Sequence, residues 1–304
     1  MVWYSMDDMS VKHARTIVRS IRLQKSGLLQ VRAGQKHKRE FIEIVCTYYK
    51  DYGRHTLPWR KTKSPYRTLV SEVMLQQTQV DRVIPKYKEF IRAFPSVHAL
   101  ASASLGEVLR VWQGLGYNRR AKMLHSAAKK VVNIHDGKIP REYELLKELP
   151  GVGEYTAKAI RVFSWNEPEV MIETNIRSVY IHHFFKKRKM VTEKKLASYI
   201  SKTLDTKNPR EWYSALMDYG SYLKMTYPNP SRKSVLHKTQ TRFKGSNREI
   251  RGAIIRALVA KKHTSVDLFK LPFKKKRIQA ELIKLLEEEM IVRNKKMFSV
   301  PETT

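Results

Sequence analysis

Two carboxylates and one glycine-bearing turn carry the chemistry that this sequence could do. Glu72 sits in the run SPYRTLVSEVMLQQT, where Pro65 suits the first turn of a helix. Three and four residues away along that helix lie Thr68, Leu69, Leu75 and Gln76, so its neighbours are apolar or neutral. An acid in such surroundings holds its proton more tightly, which suits a general acid near neutral pH. An exposed helix glutamate shows the same local pattern. Glu173 follows the apolar run Val170-Met171-Ile172. Between the two acids, Pro150-Gly151-Val152-Gly153 separates a helical pattern (Leu145, Leu146, Leu149) from a second one (Ala157, Ala159, Ile160). Two helices joined by Gly-x-Gly make a helix-hairpin-helix. Its glycines let an anion approach the N–H groups that open the second helix. An ordinary helix–helix turn reads the same way.

Composition narrows the anion. The chain has 304 residues, and 60 Lys and Arg against 28 Asp and Glu give a formal charge of +32. A globular chain this basic meets a polyanion, either nucleic acid or an anionic membrane surface. No apolar run approaches the roughly 20 residues that span a bilayer. The N-terminus lacks an apolar signal core, so the expectation is an intracellular protein without a membrane partner, in cytoplasm or nucleoid if the source is prokaryotic. Cys46 is the single cysteine, which excludes an internal disulfide framework and a multi-cysteine metal site. Its place in Phe41-Ile42-Ile44-Val45 predicts burial.

The elements that must position these groups read as helices. Residues 1 to 35 form a basic extension, with Ile17, Val18, Ile21 and Leu23 hinting at a short helix and Gly34 closing it. A targeting helix is the other reading, against which Asp7 and Asp8 speak. A helix is predicted from about residue 36 to Tyr52, then an extended link through Leu57-Pro58-Trp59-Arg60. Helical patterns follow from Pro65, through QVDRVIPKYKEFIRAFP, through SLGEVLRVWQGLG, and through YNRRAKMLHSAAKKVVNIH with its basic entry Arg119, Arg120 and Lys122. Pro140 starts the helix into the hairpin, which spans about residues 143 to 164. No β-type alternation interrupts this, so the class is all-α to about residue 225. Residues 245 to 304 then read as three helices (247–262, 266–269, 274–290) and a hairpin, IVRNKKMFSV, with Asn294-Lys295 at its tip. That describes a winged-helix-like module, with Lys274, Lys275, Lys276 and Arg277 suited to groove or phosphate contact. A protein-interaction module is the alternative.

LPWR, SPYRTLVSEVMLQQTQV, VIPKYKEFIRAFP, VWQGLGYNRRAKMLHSAA, ELPGVGEYTAKAI and ETNIRSV, at these separations, give residues 57 to 225 a specific resemblance to a known family. It is the helix-hairpin-helix (HhH-GPD) DNA glycosylase superfamily, in particular its MutY-type adenine glycosylase branch. The resemblance implies two helical lobes with DNA across a cleft and the target base flipped into a pocket. It implies that Glu72 is the acid that protonates adenine at N7 and then handles the attacking water. Glu173 falls where the family has an aspartate that stabilises the oxocarbenium-like sugar. The extra methylene keeps the charge but puts direct covalent attack in doubt. Tyr155 falls where strand-cutting relatives carry a Schiff-base lysine, and Lys158 lies nearly a turn further on, so a monofunctional enzyme is implied. Asn175 matches a position beside the catalytic acid. Trp59, Arg60, Leu75 and Met217 match the adenine pocket, and Gln77 and Tyr117 match wedges into the duplex. Core packing is the other reading of Trp59, Leu75 and Tyr117. Gln76, Arg119, Gly151, Val152, Gly153 and Thr156 complete the implied DNA contacts.

The sequence also departs from the family. Its iron–sulfur cysteine positions read Lys224, Ser231, Ser234 and Gln240, so no cluster is expected, and the basic segment there serves as a charged loop or a solvated linker. No metal is expected in the chemistry, although a monovalent cation at Gly151 and Gly153 fits the resemblance. Ser214 stands where relatives place a Glu or Gln that reads the adenine edge. The segment 245–304 is too short for the β-rich domain that recognises 8-oxoguanine. The expected organisation is an extension (1–35), a glycosylase core (36–240) and the winged-helix-like module (245–304). The expected function is adenine excision opposite guanine or 8-oxoguanine, by a monomer acting on duplex DNA with a mismatch or an oxidised base. A T/G or U/G mismatch glycosylase and a non-catalytic lesion-binding protein are the alternatives.

Overall fold

The computed structural model describes residues 30–237, 239 and 242–302. The helix expected around Ile17 to Leu23 lies outside these residues, as does Gln240. In chain order the helices are α1 (Gln30–Tyr52), α2 (Pro65–Leu75), α3 (Val80–Ala93), α4 (Val97–Ser102), α5 (Leu105–Trp112), α6 (Arg119–Ile134), α7 (Tyr143–Lys147) and α8 (Glu154–Trp165). They continue with α9 (Thr174–Phe184), α10 (Glu193–Thr203), α11 (Pro209–Thr226), α12 (Asn247–Ala260), α13 (Ser265–Leu268) and α14 (Lys275–Glu287). Three short strands, β1 (His263–Thr264), β2 (Val292–Asn294) and β3 (Met297–Ser299), form an antiparallel sheet in the order β1-β3-β2. The fold is therefore mostly helical, with the expected hairpin gaining a third strand. No helix among the described residues is long and apolar enough to cross a membrane.

The chain divides into two compact units. Among the described residues, the first holds those through His55 together with Glu167–His237, and so contains α1 and α9 to α11. Its core is aromatic. Phe41 meets Tyr180 at 5.3 Å and Trp212 at 5.9 Å, and Tyr48 meets Tyr219 and Tyr222 at 5.2 and 5.1 Å. Arg54 locks the end of α1 to α11, its Nε donating to buried Asp218 at 2.6 Å and its backbone N–H at 2.7 Å. Here the expectation for Cys46 fails, because it is exposed. The inward stripe of α1 is Phe41, Val45 and Tyr48, and the next position after Val45 turns about 100° away from it. Nor does Gly34 close an extension, since α1 already begins at Gln30 and runs through it.

The second unit holds Thr56–Asn166 and the described residues after His237. The link expected to be extended is a 3-10 turn, Pro58–Lys61, with proline in its first turn. Ser64 caps α2 by accepting from Arg67 N, and Ser96 caps α4, which the sequence reading missed, by accepting from Ala99 N. The helix into the hairpin begins at Tyr143, not at Pro140. One continuous core joins Leu69, Val73, Phe90, Trp112, Leu124 and Ile160 to Ile254, Ile255, Leu285, Phe298 and Val300 of the C-terminal segment. Each such side chain contributes about 1.5–3 kcal/mol of burial.

Candidate active site and nucleic-acid interface

The hairpin turn and α2 are built as one piece. Gly151 has φ +78°, and a Cβ there would lie 2.8 Å from Met123 Cβ, so both conformation and space demand glycine. Gly153 differs. Its φ is −90°, it opens α8, and a Cβ on it would meet nothing within 4 Å. That openness leaves the first N–H groups of α8 approachable by an anion. Val152, by contrast, is buried and anchors the turn. Thr68 and Glu72 share one face of α2 four residues apart, and Gln76, a further four on, follows the end of that helix. The outer two bond to α8: Ser164 Oγ to Thr68 Oγ1 at 3.1 Å, and Gln76 Nε2 to Thr156 Oγ1 at 3.5 Å. Glu72 lies between them and is only 8% exposed, so the exposed-glutamate reading does not hold. Tyr155, half-buried, lies in the first turn of the same helix α8. Lys158 pairs with Glu154 at 2.6 Å.

Two turns follow the ends of α2 and α5, and each carries a residue in the left-handed region: Gln77 at φ +55° and Tyr117 at φ +48°. Non-glycine residues held there cost about 1–3 kcal/mol each, and such strain collects at functional sites. Arg120 holds both turns. Its Nη1 donates to the carbonyls of Val73, Met74 and Gln76 at 2.8, 2.9 and 2.6 Å. Its Nη2 donates to Thr78 Oγ1, Leu115 O and Gly116 O at 3.0 to 3.3 Å. Desolvation pushes the Arg120 pKa down to about 10, which leaves it charged at neutral pH. The sequence reading saw Arg120 only as part of a basic helix entry. Gln76, Gln77, Tyr117, Arg119 and Gly151 line a single cleft in this unit. Trp59 and Leu75 pack on the core, with Trp59 edge-on to Tyr87 at 5.5 Å, and Arg60 is half-buried beside it in sequence.

Glu173 belongs to the first unit, where it is the N-cap of α9. Its Oε1 accepts from Ile176 N at 2.8 Å and its Oε2 from Asn175 Nδ2 at 3.2 Å. The residue keeps some exposure, but its carboxyl is surrounded by protein. Desolvation raises its pKa above the ordinary value, opposed by the N–H donors of Asn175 and Ile176 and by Lys224 and Arg177. Asn175 Oδ1 is buried with no partner among the described residues, leaving an acceptor beside the acid. Two residues outside the sequence reading brace this corner. Tyr213 Oη donates to Glu169 O at 2.6 Å and accepts from Met171 N at 3.2 Å, fixing the run before Glu173. Gly220 of α11 lets α9 approach, since a Cβ there would lie 2.3 Å from Asn175 O. Ser214 is buried and donates to Arg210 O at 2.9 Å within its own helix, while Met217 is half-buried.

The positions at which the resemblance would place cluster cysteines do not fit an iron–sulfur group. Lys224 faces Glu173 as a charge. Ser231 Oγ donates to Asn229 Oδ1 at 2.8 Å, and Ser234 Oγ to Glu193 Oε1 at 3.1 Å. Glu193 is itself held by Arg177 through two bonds of 3.0 Å. Neutral, engaged hydroxyls and an ammonium cannot replace four thiolates.

Comparison with known proteins agrees with this architecture. The family model for HhH-GPD superfamily base excision DNA repair proteins matches residues 70–205. A thymine/uracil-DNA glycosylase of Pyrobaculum aerophilum is 32% identical over 187 residues, 59% of this chain and 81% of that protein. The chain belongs to the HhH-GPD superfamily of base excision DNA repair proteins. Within it, an adenine DNA glycosylase of Buchnera aphidicola subsp. Baizongia pistaciae is 35% identical over 187 residues, 60% of this chain and 52% of that protein. One of Mycolicibacterium smegmatis is 42% identical over 139 residues, 45% and 47% respectively. The chain thus spans about half the length of the adenine glycosylases it matches. Among solved structures, a thermostable thymine-DNA glycosylase aligns with a TM-score of 0.57 at 24% identity, covering 62% of this chain and 88% of that one, and shows the same fold.

Proposed function

We propose that this protein is a monofunctional DNA glycosylase that hydrolyses the N-glycosidic bond of adenine mispaired with guanine or 8-oxoguanine. The observation that carries the reading is Glu72. It is a buried acid on α2, flanked at one-turn spacing by two hydrogen bonds to the hairpin helix α8. Relatives named adenine DNA glycosylases, 35% and 42% identical, support the choice of base. In this reading Glu72 delivers a proton to the departing purine and then takes one from the attacking water. Glu173 supplies negative charge to the cationic sugar. The acceptor Asn175 Oδ1 beside it suits a water or a sugar hydroxyl. Tyr155 occupies the lysine position of strand-cutting enzymes, and Lys158 is tied to Glu154, so release of the base without strand cleavage follows. The partner is duplex DNA bound through a basic surface by a monomer inside the cell.

The Pyrobaculum relative favours one second reading, excision of T or U opposite G. Single-turnover assays on duplexes with A opposite 8-oxoguanine or guanine, and T or U opposite guanine, each developed with alkali, separate the two. Excision is expected at adenine alone and lost by about 10²–10⁴-fold in Glu72→Gln, the usual worth of a positioned acid. Glu173→Asp is expected to retain it, and borohydride should trap no adduct. Excision at T or U would move the protein to the mismatch reading. No excision by the wild type would leave a lesion-binding protein.

A further inference from the structure

The cleft in the second unit has a volume of about 1180 Å³ and reaches beyond the residues that the proposed function uses. One wall is formed by the strained turns at Gln77 and Tyr117. The lining continues onto α12 of the C-terminal segment, with Arg248, Arg251, Gly252 and Arg256. Arginines outnumber the single lining acid, Glu288, and Arg251 neutralises that acid at 2.6 Å. The space exceeds the roughly 300–1,000 Å³ of ordinary small-molecule pockets. It suits a nucleotide with its flanking backbone better than a free metabolite.

Three details narrow what enters it. First, Tyr117 is flanked by two guanidiniums, Arg120 at 5.3 Å and Arg248 at 5.1 Å from its ring, and Arg248 also bonds its hydroxyl. Arg248 is thereby pre-set at the cleft. Second, Phe243 lines the cleft and is 58% exposed, leaving an aromatic surface on which a base can stack. Third, Gly252 lies inside α12, where glycine costs about 1 kcal/mol relative to alanine. A Cβ there would meet nothing within 4 Å, so this residue keeps the wall bare rather than relieving a clash. An arginine fork, an aromatic surface and bare backbone together match a purine edge that offers two acceptors. Guanine presents O6 and N7 in that way, whereas adenine turns a donor toward the same fork.

We propose that the cleft receives the base of the undamaged strand, unpaired once its partner has been withdrawn, and that Arg248 selects a guanine-type base there. The inference rests on the glycosylase reading above. It gives the C-terminal segment the task of reading the opposite base.

The test separates this from catalysis. The full-length protein is titrated with duplexes carrying a tetrahydrofuran abasic analogue opposite guanine, 8-oxoguanine, thymine or a second analogue. The wild type is expected to bind the guanine-type duplexes at least about tenfold more tightly than the others, the discrimination of one good bidentate contact. Arg248→Gln and the cleft-filling Gly252→Phe are expected to bring all four affinities to one value. The space for a Cβ at Gly252 and the poor helix propensity of glycine predict a melting temperature no lower than the wild type's for that variant. A wild type without preference overturns the proposal. So do variants that weaken every duplex equally, which would make the arginines phosphate contacts. If excision of adenine fails while the binding preference holds, the catalytic reading falls and the cleft assignment stands.

Discussion

On the proposed function the carboxyl of Glu173 both caps a helix and faces a cationic sugar, and its surroundings set those demands against each other. Ile176 N–H and the start of α9 favour the charged form, while desolvation favours the neutral one and prevails, so the pKa is raised. The sign of the stability effect follows. Below pH 4.5, the ordinary carboxylate value, both folded and unfolded chains hold the proton and ionisation costs nothing. As pH rises through the folded pKa the unfolded chain has already ionised, and the folded chain must bear a desolvated charge. Glu173 therefore costs stability at neutral pH. In Glu173→Gln the side-chain oxygen still accepts from Ile176, and Asn175 Oδ1 gains a donor if its amide turns over. The variant should melt higher than wild type at neutral pH, match it below pH 4.5, and lose excision. Parallel melting curves across that range check this. A variant less stable at neutral pH would mean that attraction to the helix N-terminus outweighs desolvation. On the proposed function, the site sacrifices stability to hold a charge where the reaction needs one.

At the scale of elements, Arg120 ties the end of α2 to two strained turns. The last carbonyls of a helix lack partners inside it, and Arg120 supplies them for Val73, Met74 and Gln76. Lysine keeps the charge but cannot present a planar fork to so many acceptors. Each buried carbonyl left unpaired costs about 1–3 kcal/mol. Arg120→Lys should lower the urea midpoint and speed amide exchange at residues 76 to 78, although no charge is lost. Unchanged exchange there would show that the turns hold themselves. This role was not legible in the sequence, because it joins an arginine to backbone groups more than forty residues away. The short element α4 and the two-residue strand β1 escaped for a different reason, since neither is long enough to show periodicity. The hairpin and α2 were legible because Gly, Pro and capping residues act locally. Cys46 was misjudged because one step along a helix separates its inward stripe from its outward face.

For the whole molecule, the C-terminal segment is built into a unit rather than strung onto it. Ile250, Ile254, Ile255, Leu258, Leu285 and Phe298 belong to the same continuous core as α2, α5 and α6. The main chain joins it too, as Gly106 N donates to Pro301 O at 2.8 Å. A Cβ on Gly106 would lie 2.9 Å from that oxygen, so the glycine admits the returning chain. Ending the chain at Lys244 would expose this apolar surface and unpair the Gly106 N–H. At about 1.5–3 kcal/mol for each buried aliphatic or aromatic side chain, the burial lost is comparable to the 5–15 kcal/mol by which domains are usually stable. The shortened chain should therefore aggregate or melt without a cooperative transition, and scanning calorimetry beside the full chain checks this. A cooperative transition at the wild-type temperature would mean that the core of Thr56–Asn166 closes without its C-terminal wall. Substitutions on the cleft face of α12, such as Gly252→Phe, should leave that transition in place. The pair of results would separate what the segment does for the fold from what it does for a base in the cleft.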